Sequence, residues 1–366
     1  MNPLQQISGL GQSIWLDFID RHLVTSGALA RMIKTDGIRG VTSNPAIFEK
    51  AISEDPDYRA DLRAFHEAGL SAVERLEKLI LPDIRDAADC LFQVYEETDG
   101  QDGFVSLEVS PTLAHDAEGT VREARRLWQL VGCRNLMVKV PATDEALPAI
   151  TQLVAEGISV NATLLFSRAM HVRVMDAYLA GLERRAGEGR WLDDVTGVAS
   201  FFVSRIDTEV DALLNSRLGS APDKDLITAL QGTAAIANAK LAYRNWKERF
   251  SGSRWQSLQA QGAHPQRLLW ASTGVKNPAY RDVRYVEELI GPYMVNTVPP
   301  ATLDTFRGHG IPRARLEEGT EEAAALLAGV ELLGISMESV AEKLLDTGVA
   351  AFVQSHGALL TRLAEA

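Results

Sequence analysis

The sequence predicts a (β/α)8 barrel, and the pattern of its apolar segments is the main reason. Short apolar segments recur along the 366 residues, and amphipathic helical patterns separate them. The segments with strand character are residues 13–19, 39–45, 103–109, 136–142, 158–166, 197–204, 267–273 and 293–298. Alternation of strand and helix is typical of parallel sheets covered by helices. Because eight such units occur in one chain, we favour a closed barrel over an open doubly wound sheet.

The two faces of the predicted strands differ in polarity, which also favours a barrel. In the third strand, Leu107 lies on one face, and Ser106 and Glu108 lie on the other. The fourth and fifth strands repeat this pattern, with Lys139 and Asn161 on the polar face. Strands of an open parallel sheet are usually apolar on both faces. A polar inner face therefore indicates a barrel whose mouth is an active site.

Helical patterns fill the intervals between strands and continue beyond the last one. Residues 50–100, 114–132 and 144–157 have this character, and the sixth and seventh strands are separated by two further patterns, 207–216 and 226–250. No linker rich in Gly and Pro divides the chain. We expect one TIM-barrel domain over residues 1–366, with the barrel at about 10–315 and a C-terminal helical extension at about 316–366.

Composition and charge limit the classes of function. The net charge of −12 disfavours nucleic acid and anionic membranes as partners. Neither a signal peptide nor an apolar stretch of about 18 residues is evident, so we expect a cytoplasmic protein. Cys90 and Cys133 match no metal-ligand spacing and are expected to be buried thiols. The histidines are also scattered, so we expect no metal and no cofactor.

Three charged residues interrupt otherwise apolar strands. They are Asp17 in the first strand, Glu108 in the third and Lys139 in the fourth, each toward the carboxyl end. Burying an unpaired charge is costly, and barrel active sites lie at the carboxyl ends of the strands. A buried salt-bridge network is the structural alternative, but three such residues at one end of the barrel favour catalysis.

These residue types suit the chemistry of an imine. Desolvation favours the neutral amine of Lys139, which can attack a ketone and form a Schiff base. Asp17 could transfer the proton of the hydroxyl group next to the carbon–carbon bond that breaks. Glu108 with Thr163 could hold the water that hydrolyses the imine. The amides expected to fix substrate hydroxyls are those of Asn44 and Asn161.

Six short motifs resemble those of transaldolases, in the same order along nearly the whole barrel. They are VTSNPAIF at 41–48, SLEVSP at 106–111, MVKVPAT at 137–143, ISVNATLLFS at 158–167, VASFFVSRID at 198–207 and WASTGVKNP at 270–278. Several motifs in order are far more specific than any one alone. The length of the terminal segments is similar to the larger actinobacterial and cyanobacterial type.

The resemblance implies a reaction of the pentose phosphate pathway. A dihydroxyacetone unit would pass from a ketose phosphate (fructose 6-phosphate or sedoheptulose 7-phosphate) to an aldose phosphate (erythrose 4-phosphate or glyceraldehyde 3-phosphate). It implies a Schiff base on Lys139, an acid/base role for Asp17 and a water-handling role for Glu108 beside Thr163. It makes Asn44 and Asn161 ligands of the dihydroxyacetone moiety. The residues it implies for the phosphate are Ser200, Arg205 and Ser272.

The chain departs from the commonly described family pattern at two strands. After the seventh strand, an Arg usually follows the Ser closely, whereas here Lys276 is the nearest cation, two residues further on. We assign Lys276 to the phosphate on that basis. The sixth strand has SFFVSR where a Pro and a Gly are common. Whether the protein is a monomer or a homodimer stays open at this point.

Two other functions compete with transfer. A related Schiff-base aldolase would release free dihydroxyacetone, but such enzymes are shorter, and a Gln and a Tyr do much of the work there. The presence of both Asp17 and Glu108 favours transfer instead. A catalytically silent barrel that serves as a scaffold would have no need for Lys139, Asp17 and Glu108 together.

Overall fold

A computed structural model describes residues 2–218 and 224–365 of the chain. Its strands are β1 (Ser13–Leu16), β2 (Ile38–Thr42), β3 (Phe104–Glu108), β4 (Leu136–Pro141), β5 (Val160–Leu165), β6 (Gly197–Phe202), β7 (Arg267–Ala271) and β8 (Val295–Val298). Its helices are α1 (Pro3–Gly9), α2 (Arg21–Thr25), α3 (Ala28–Asp36), α4 (Pro45–Glu54), α5 (Arg59–Glu67), α6 (Ala72–Glu97), α7 (Ala117–Val131), α8 (Leu147–Glu156), α9 (Arg168–Gly187), α10 (Ser204–Arg217), α11 (Lys224–Leu230), α12 (Ala234–Arg249), α13 (Ser253–Gln259), α14 (Arg284–Glu287), α15 (Pro300–His309), α16 (Thr320–Leu332) and α17 (Met337–Glu365). Short 3-10 helices cover Pro56–Tyr58 and Pro111–Leu113.

The strands close into a parallel barrel in the order β1 to β8, with β8 hydrogen-bonded to β1. Helices alternate with the strands, which confirms the predicted (β/α)8 architecture. In β4 and β5, all six residues of each strand are buried, because helices cover the outer face and side chains fill the interior. The register aligns Glu108 with Lys139, and Lys139 with Asn161. Three polar side chains predicted for the inner face therefore lie side by side.

The strand positions follow the prediction, but several strands are shorter. In the first, the strand ends at Leu16 and leaves Asp17 just beyond it. The helix predicted at 226–250 is divided into two, α11 and α12, because the chain turns at Gly232, which has the left-handed conformation (φ 67°). An added Cβ at Gly232 would lie 2.5 Å from the ring of Tyr280, so only glycine fits this turn.

A polar cluster closes the amino-terminal end of the barrel. The buried Arg267 donates to Asp102 Oδ1 (3.1 Å) and to Ser13 Oγ (2.6 Å). Asp102 also accepts from the indole nitrogen of Trp15 at 2.9 Å. Gly40 makes room for that indole, since a Cβ there would lie 2.4 Å from the ring. Because its buried charges are paired, this end of the barrel contributes to stability, whereas active sites of such barrels lie at the carboxyl ends of the strands.

The last helix, α17, runs over the carboxyl ends of the strands. Its first turn accepts a hydrogen bond from Ser167, just after β5, to Glu338 (2.9 Å). Further along, Lys343 pairs with Glu209 of α10 at 2.6 Å. Near its end, the carbonyl of Leu363 accepts from Arg75 of α6 (2.6 Å). Contacts with three different barrel segments hold this helix across the mouth.

Two other expectations can be compared with the structure. Cys90 and Cys133 are free thiols, but both are half-buried, so the expectation of full burial was wrong. The two sites lie on helix α6 and just after α7, on outer layers that solvent partly reaches. Within residues 2–218 and 224–365, no single helix is long and apolar enough to cross a membrane; α16 and α17 pass that test only together, bent by 86°.

Candidate active site

A cavity of about 140 Å³ opens at the carboxyl ends of the strands. Residues from seven of the eight strands, or from the loops that follow them, form its walls, together with one residue of the terminal helix. They are Asp17, Thr42, Asn44, Lys139, Thr163, Ser200, Phe202, Arg205, Ala271, Ser272, Gly274, Lys276, Thr297, Pro299 and Phe352. We call this space the mouth cavity. It collects ionisable groups of both signs in one small volume.

Lys139 reaches the mouth cavity from β4 and is almost completely buried, with 5% of its surface exposed. Its Nζ donates to the backbone carbonyl of Ser43 at 2.8 Å. Glu108 Oε2 lies 3.6 Å from the same nitrogen, which is ion-pair distance but longer than a hydrogen bond. The amine therefore has one firm backbone partner and one loosely held carboxyl neighbour.

Glu108 is the least satisfied acidic group of the site. Both of its carboxyl oxygens are buried and have no hydrogen-bond partner among the described residues, as is also true of Thr163 Oγ1. Burial raises the pKa of Glu108 to about 7, although the positive charge of Lys139 opposes the shift. A carboxyl group with this pKa exchanges protons readily near neutral pH. Its unused oxygens indicate room for a bound water or a substrate group.

Glu108 does not line the mouth cavity itself. It borders a separate cavity of about 310 Å³ between α4, α6, α7 and α17. Its carboxylate thus lies outside the mouth cavity but within 3.6 Å of the Lys139 amine. We expect it to act on the amine, or on water beside the amine, rather than on the far end of a sugar.

Asp17 lies just beyond the end of β1, where it lines the mouth cavity. Its Oδ1 accepts a hydrogen bond from Thr42 Oγ1 at 2.7 Å, and Thr42 is 2.6 Å from Thr297 Oγ1. Burial raises the pKa of Asp17, while the charge of Lys139 and the hydrogen bond from Thr42 lower it. A buried carboxyl group that is oriented by one hydroxyl is suited to moving a proton.

The two asparagines occupy different depths. Asn44 caps helix α4, with its Oδ1 accepting from the amide of Ile47 at 3.0 Å, so its amide nitrogen and the second lone pair of its oxygen are left to contact a ligand in the cavity. Asn161 is fully buried and is one layer below the cavity floor. Its Nδ2 donates to Ser106 (3.1 Å), and its Oδ1 accepts from Ser200 (2.6 Å). Asn161 therefore supports Ser200, which does line the cavity.

The cations lie on the side of the cavity formed by β6 and β7. Arg205 is in the first turn of α10, and its guanidinium lies 5.3 Å from the ring centre of Phe202. Burial lowers the pKa of Arg205, and no carboxylate of the described residues pairs with it. Lys276 also lines the cavity but is exposed. A half-buried, unpaired arginine is suited to an anion.

Ser272 lines the same side of the cavity as these cations, and its backbone conformation is unusual. Its φ of 56° is in the left-handed region, which is uncommon for a residue with a Cβ. Its hydroxyl lies 3.0 Å from that of Ser204. The first turn of α10, which begins at Ser204, has no side-chain cap. The amides of Ser204 and Ile206 in this turn instead donate to the backbone carbonyls of Ser272 and Val203. The groups that this wall offers to an anion are therefore the Arg205 guanidinium and the serine hydroxyls.

Most of the residues predicted for the site meet in the mouth cavity. Those that line it are Asp17, Asn44, Lys139, Thr163, Ser200, Arg205, Ser272 and Lys276, whereas Glu108 and Asn161 do not line it. Thr42, within the VTSNP motif, was missed although it orients Asp17. Phe352 was missed because nothing in the helical pattern of residues 337–365 distinguishes it.

Comparison with known proteins identifies the family. Residues 14–363 match the family described as transaldolase/fructose-6-phosphate aldolase. Over 365 residues the chain is 51% identical to a transaldolase of Thermobifida fusca, covering 100% of this chain and 98% of that protein. It is 49% identical over 363 residues to a transaldolase of Thiobacillus denitrificans (99% and 100% coverage). A transaldolase of Trichodesmium erythraeum is 46% identical over 369 residues (100% and 97%). The resemblance inferred from the motifs is thus confirmed, and the chain is an enzyme that belongs to the transaldolase/fructose-6-phosphate aldolase family.

Proposed function

We propose that the protein is a transaldolase of the pentose phosphate pathway. It takes a dihydroxyacetone unit from fructose 6-phosphate or sedoheptulose 7-phosphate and transfers it to erythrose 4-phosphate or glyceraldehyde 3-phosphate. The unit is held between the two half-reactions as a Schiff base on Lys139. The full-length similarity to proteins named transaldolase supports the reaction class, and the arrangement around Lys139 supports the mechanism.

The observation that carries the proposal is the position of Lys139 between two acidic groups and a cationic wall. Its amine is buried at the barrel mouth, 3.6 Å from Glu108, in the same cavity as Asp17 and Arg205. Structural lysines on barrels are usually paired at the surface. Here the amine points into a space where a carbonyl carbon of a small ligand can approach it.

Glu108 serves the steps that form and hydrolyse the imine. Attack requires the neutral amine, and at 3.6 Å the Glu108 carboxylate can accept the proton that Lys139 gives up. Loss of water from the carbinolamine requires a proton donor, and the reverse step requires a base. With a pKa of about 7, one carboxyl group can serve in both directions. The unpartnered hydroxyl of Thr163 is suited to orienting that water.

Asp17 serves the step that breaks and forms the carbon–carbon bond. Once the protonated imine has formed, it withdraws electrons from the neighbouring bond. Removal of the proton from the adjacent hydroxyl then releases an aldose and leaves a three-carbon enamine. Asp17 lines the mouth cavity, is buried, and is oriented by Thr42, whereas Glu108 lies outside that cavity beside the amine. The two carboxyl groups therefore act on different ends of the reacting unit.

The phosphate of either sugar is held by the cationic wall. Arg205 supplies a guanidinium, and Ser200 and Ser272 supply hydroxyls. Lys276 adds a charge at the rim. Binding a remote phosphate in this way fixes the sugar carbonyl near the amine. The dihydroxyacetone hydroxyls are assigned to Asn44 and, through Ser200, to Asn161.

A fructose 6-phosphate aldolase is the second candidate, because the family includes both activities. It would use the same imine but release dihydroxyacetone to solvent. The presence of both Asp17 and Glu108 beside Lys139 favours transfer. In a kinetic assay, transfer consumes an acceptor aldose with little free dihydroxyacetone, whereas the aldolase releases dihydroxyacetone without any acceptor.

A trapping experiment tests the imine. The protein is incubated with fructose 6-phosphate, reduced with borohydride, digested and mapped by mass spectrometry. We expect a dihydroxyacetone-derived adduct on Lys139 that depends on substrate. The Lys139→Arg variant, which keeps the positive charge but cannot form the imine, is the matched control.

Each other outcome has a definite meaning. A substrate-dependent adduct on Lys276 would show that the phosphate and imine sites are wrongly assigned. Folded protein that gives no adduct with any ketose phosphate would refute the Schiff-base mechanism. An adduct that persists in the Lys139→Arg variant would place the chemistry elsewhere.

A further inference from the structure

One wall of the mouth cavity is not made by the barrel. Phe352 belongs to the terminal helix α17, is 6% exposed, and lines the cavity together with Lys139 and Asp17. The other aromatic side chain of the cavity is Phe202, from β6. The polar groups of the barrel thus meet an apolar cover that comes from the far end of the chain.

The terminal helix packs closely on the catalytic end of the barrel. At Gly348, one turn before Phe352, an added Cβ would lie 3.0 Å from Leu164 Cδ2 and 3.7 Å from Arg205 Nη1. Residues four apart share a helix face, so Gly348 rests on the barrel and Phe352 faces the cavity. Leu164 meets the helix because β5 ends in a register shift, with Leu164 in the left-handed conformation (φ 60°).

The reaction in "Proposed function" creates a need for such a cover, and the inference rests on that function. After the first aldose leaves, the enzyme holds an enamine that has two fates. In transfer, its carbon forms a bond to the acceptor's aldehyde carbon, and the aldehyde oxygen takes a proton. In release, the same carbon takes a proton from water. Water then adds to the imine carbon, the carbon–nitrogen bond breaks, and free dihydroxyacetone and the Lys139 amine result.

We propose that Phe352 of the terminal helix is a specificity-determining residue that favours transfer over release. Its ring excludes bulk water from the cavity beside Lys139 while the enamine waits for an acceptor. The single water that the reaction needs is held at the buried, unpartnered oxygens of Glu108 and Thr163. Excluding solvent from a reactive intermediate is a recognised function of closed active sites.

The test compares variants of Phe352 in the full-length protein. Phe352→Ala removes the ring, Phe352→Leu keeps apolar bulk, and Val353→Ala changes the adjacent residue, whose side chain is exposed and outside the cavity. Two rates are measured for each protein with fructose 6-phosphate: release of dihydroxyacetone without acceptor, and transfer to erythrose 4-phosphate. We expect the ratio of release to transfer to rise by about tenfold in Phe352→Ala, to rise less in Phe352→Leu, and to stay unchanged in Val353→Ala.

The lifetime of the intermediate gives a second readout. The Lys139 adduct is trapped with borohydride at increasing times after the first aldose is removed enzymatically, and it should decay faster in Phe352→Ala than in the unchanged protein. Equal losses of both rates, with the ratio unchanged in the Ala and Leu variants, would overturn the proposal and leave Phe352 a packing residue. Absence of any Lys139 adduct in the unchanged protein would instead refute the proposed function, and this inference with it.

Discussion

The raised pKa of Glu108 leads to a quantitative prediction about pH. Burial raises it to about 7 from an ordinary value of 4.5. If the ionised form accepts the proton of Lys139, the active fraction of the enzyme rises from about one tenth at pH 6 to about nine tenths at pH 8, and kcat/KM rises about tenfold. The sign follows from the base role, since an acid role would make kcat/KM fall over the same range.

The Glu108→Gln variant removes the titrating group and keeps the shape of the side chain. We expect kcat/KM to fall by about 10²- to 10⁴-fold and the rise between pH 6 and pH 8 to disappear from the residual activity. The assay follows transfer from fructose 6-phosphate to erythrose 4-phosphate at each pH. Glu77→Gln is the matched control, because Glu77 borders the same 310 Å³ cavity but pairs with Arg126 away from Lys139. If Glu108→Gln kept the same rise with pH, the base role of Glu108 would be refuted.

Two further predictions concern phosphate binding and acid stability. Arg205→Ala should raise KM for fructose 6-phosphate by about 10- to 100-fold, since a buried charge-assisted contact is worth about 1.5–3 kcal/mol, whereas Lys276→Ala should raise it only a few-fold because Lys276 is exposed. Steady-state kinetics with unphosphorylated fructose is the control, and an equal loss there would rule out a phosphate role for Arg205. His171 is fully buried, neither of its ring nitrogens has a hydrogen-bond partner among the residues that the structure describes, and burial lowers its pKa from 6.5 to about 3. Below pH 6.5 the unfolded chain therefore binds a proton that the folded protein excludes, which costs about 2 kcal/mol of stability between pH 7.5 and pH 5. Urea unfolding at these two pH values should show that the free energy of unfolding falls by about 2 kcal/mol less in His171→Leu than in the unchanged protein. An identical fall in the two proteins would contradict this role of His171.

The sequence by itself determined the architecture and most of the proposed chemistry. Eight apolar segments separated by helical patterns, several of them with polar residues on alternate positions, are enough to indicate a closed parallel barrel. Parity alone places Glu108, Lys139 and Asn161 on the inner face, and the strand register aligns them. These inferences succeed because strand periodicity and the cost of burying charge are local properties of a chain.

Only the tertiary structure decided how deep each predicted side chain lies, which cavity it borders, and that the terminal helix covers the site. The sequence could not distinguish Asn44, whose oxygen caps α4, from Asn161, which is buried below Ser200. It could not show that Glu108 borders a separate cavity, or that Phe352 of the terminal helix lines the mouth cavity. Contacts between residues far apart in sequence depend on how whole elements pack, and no local pattern records that packing.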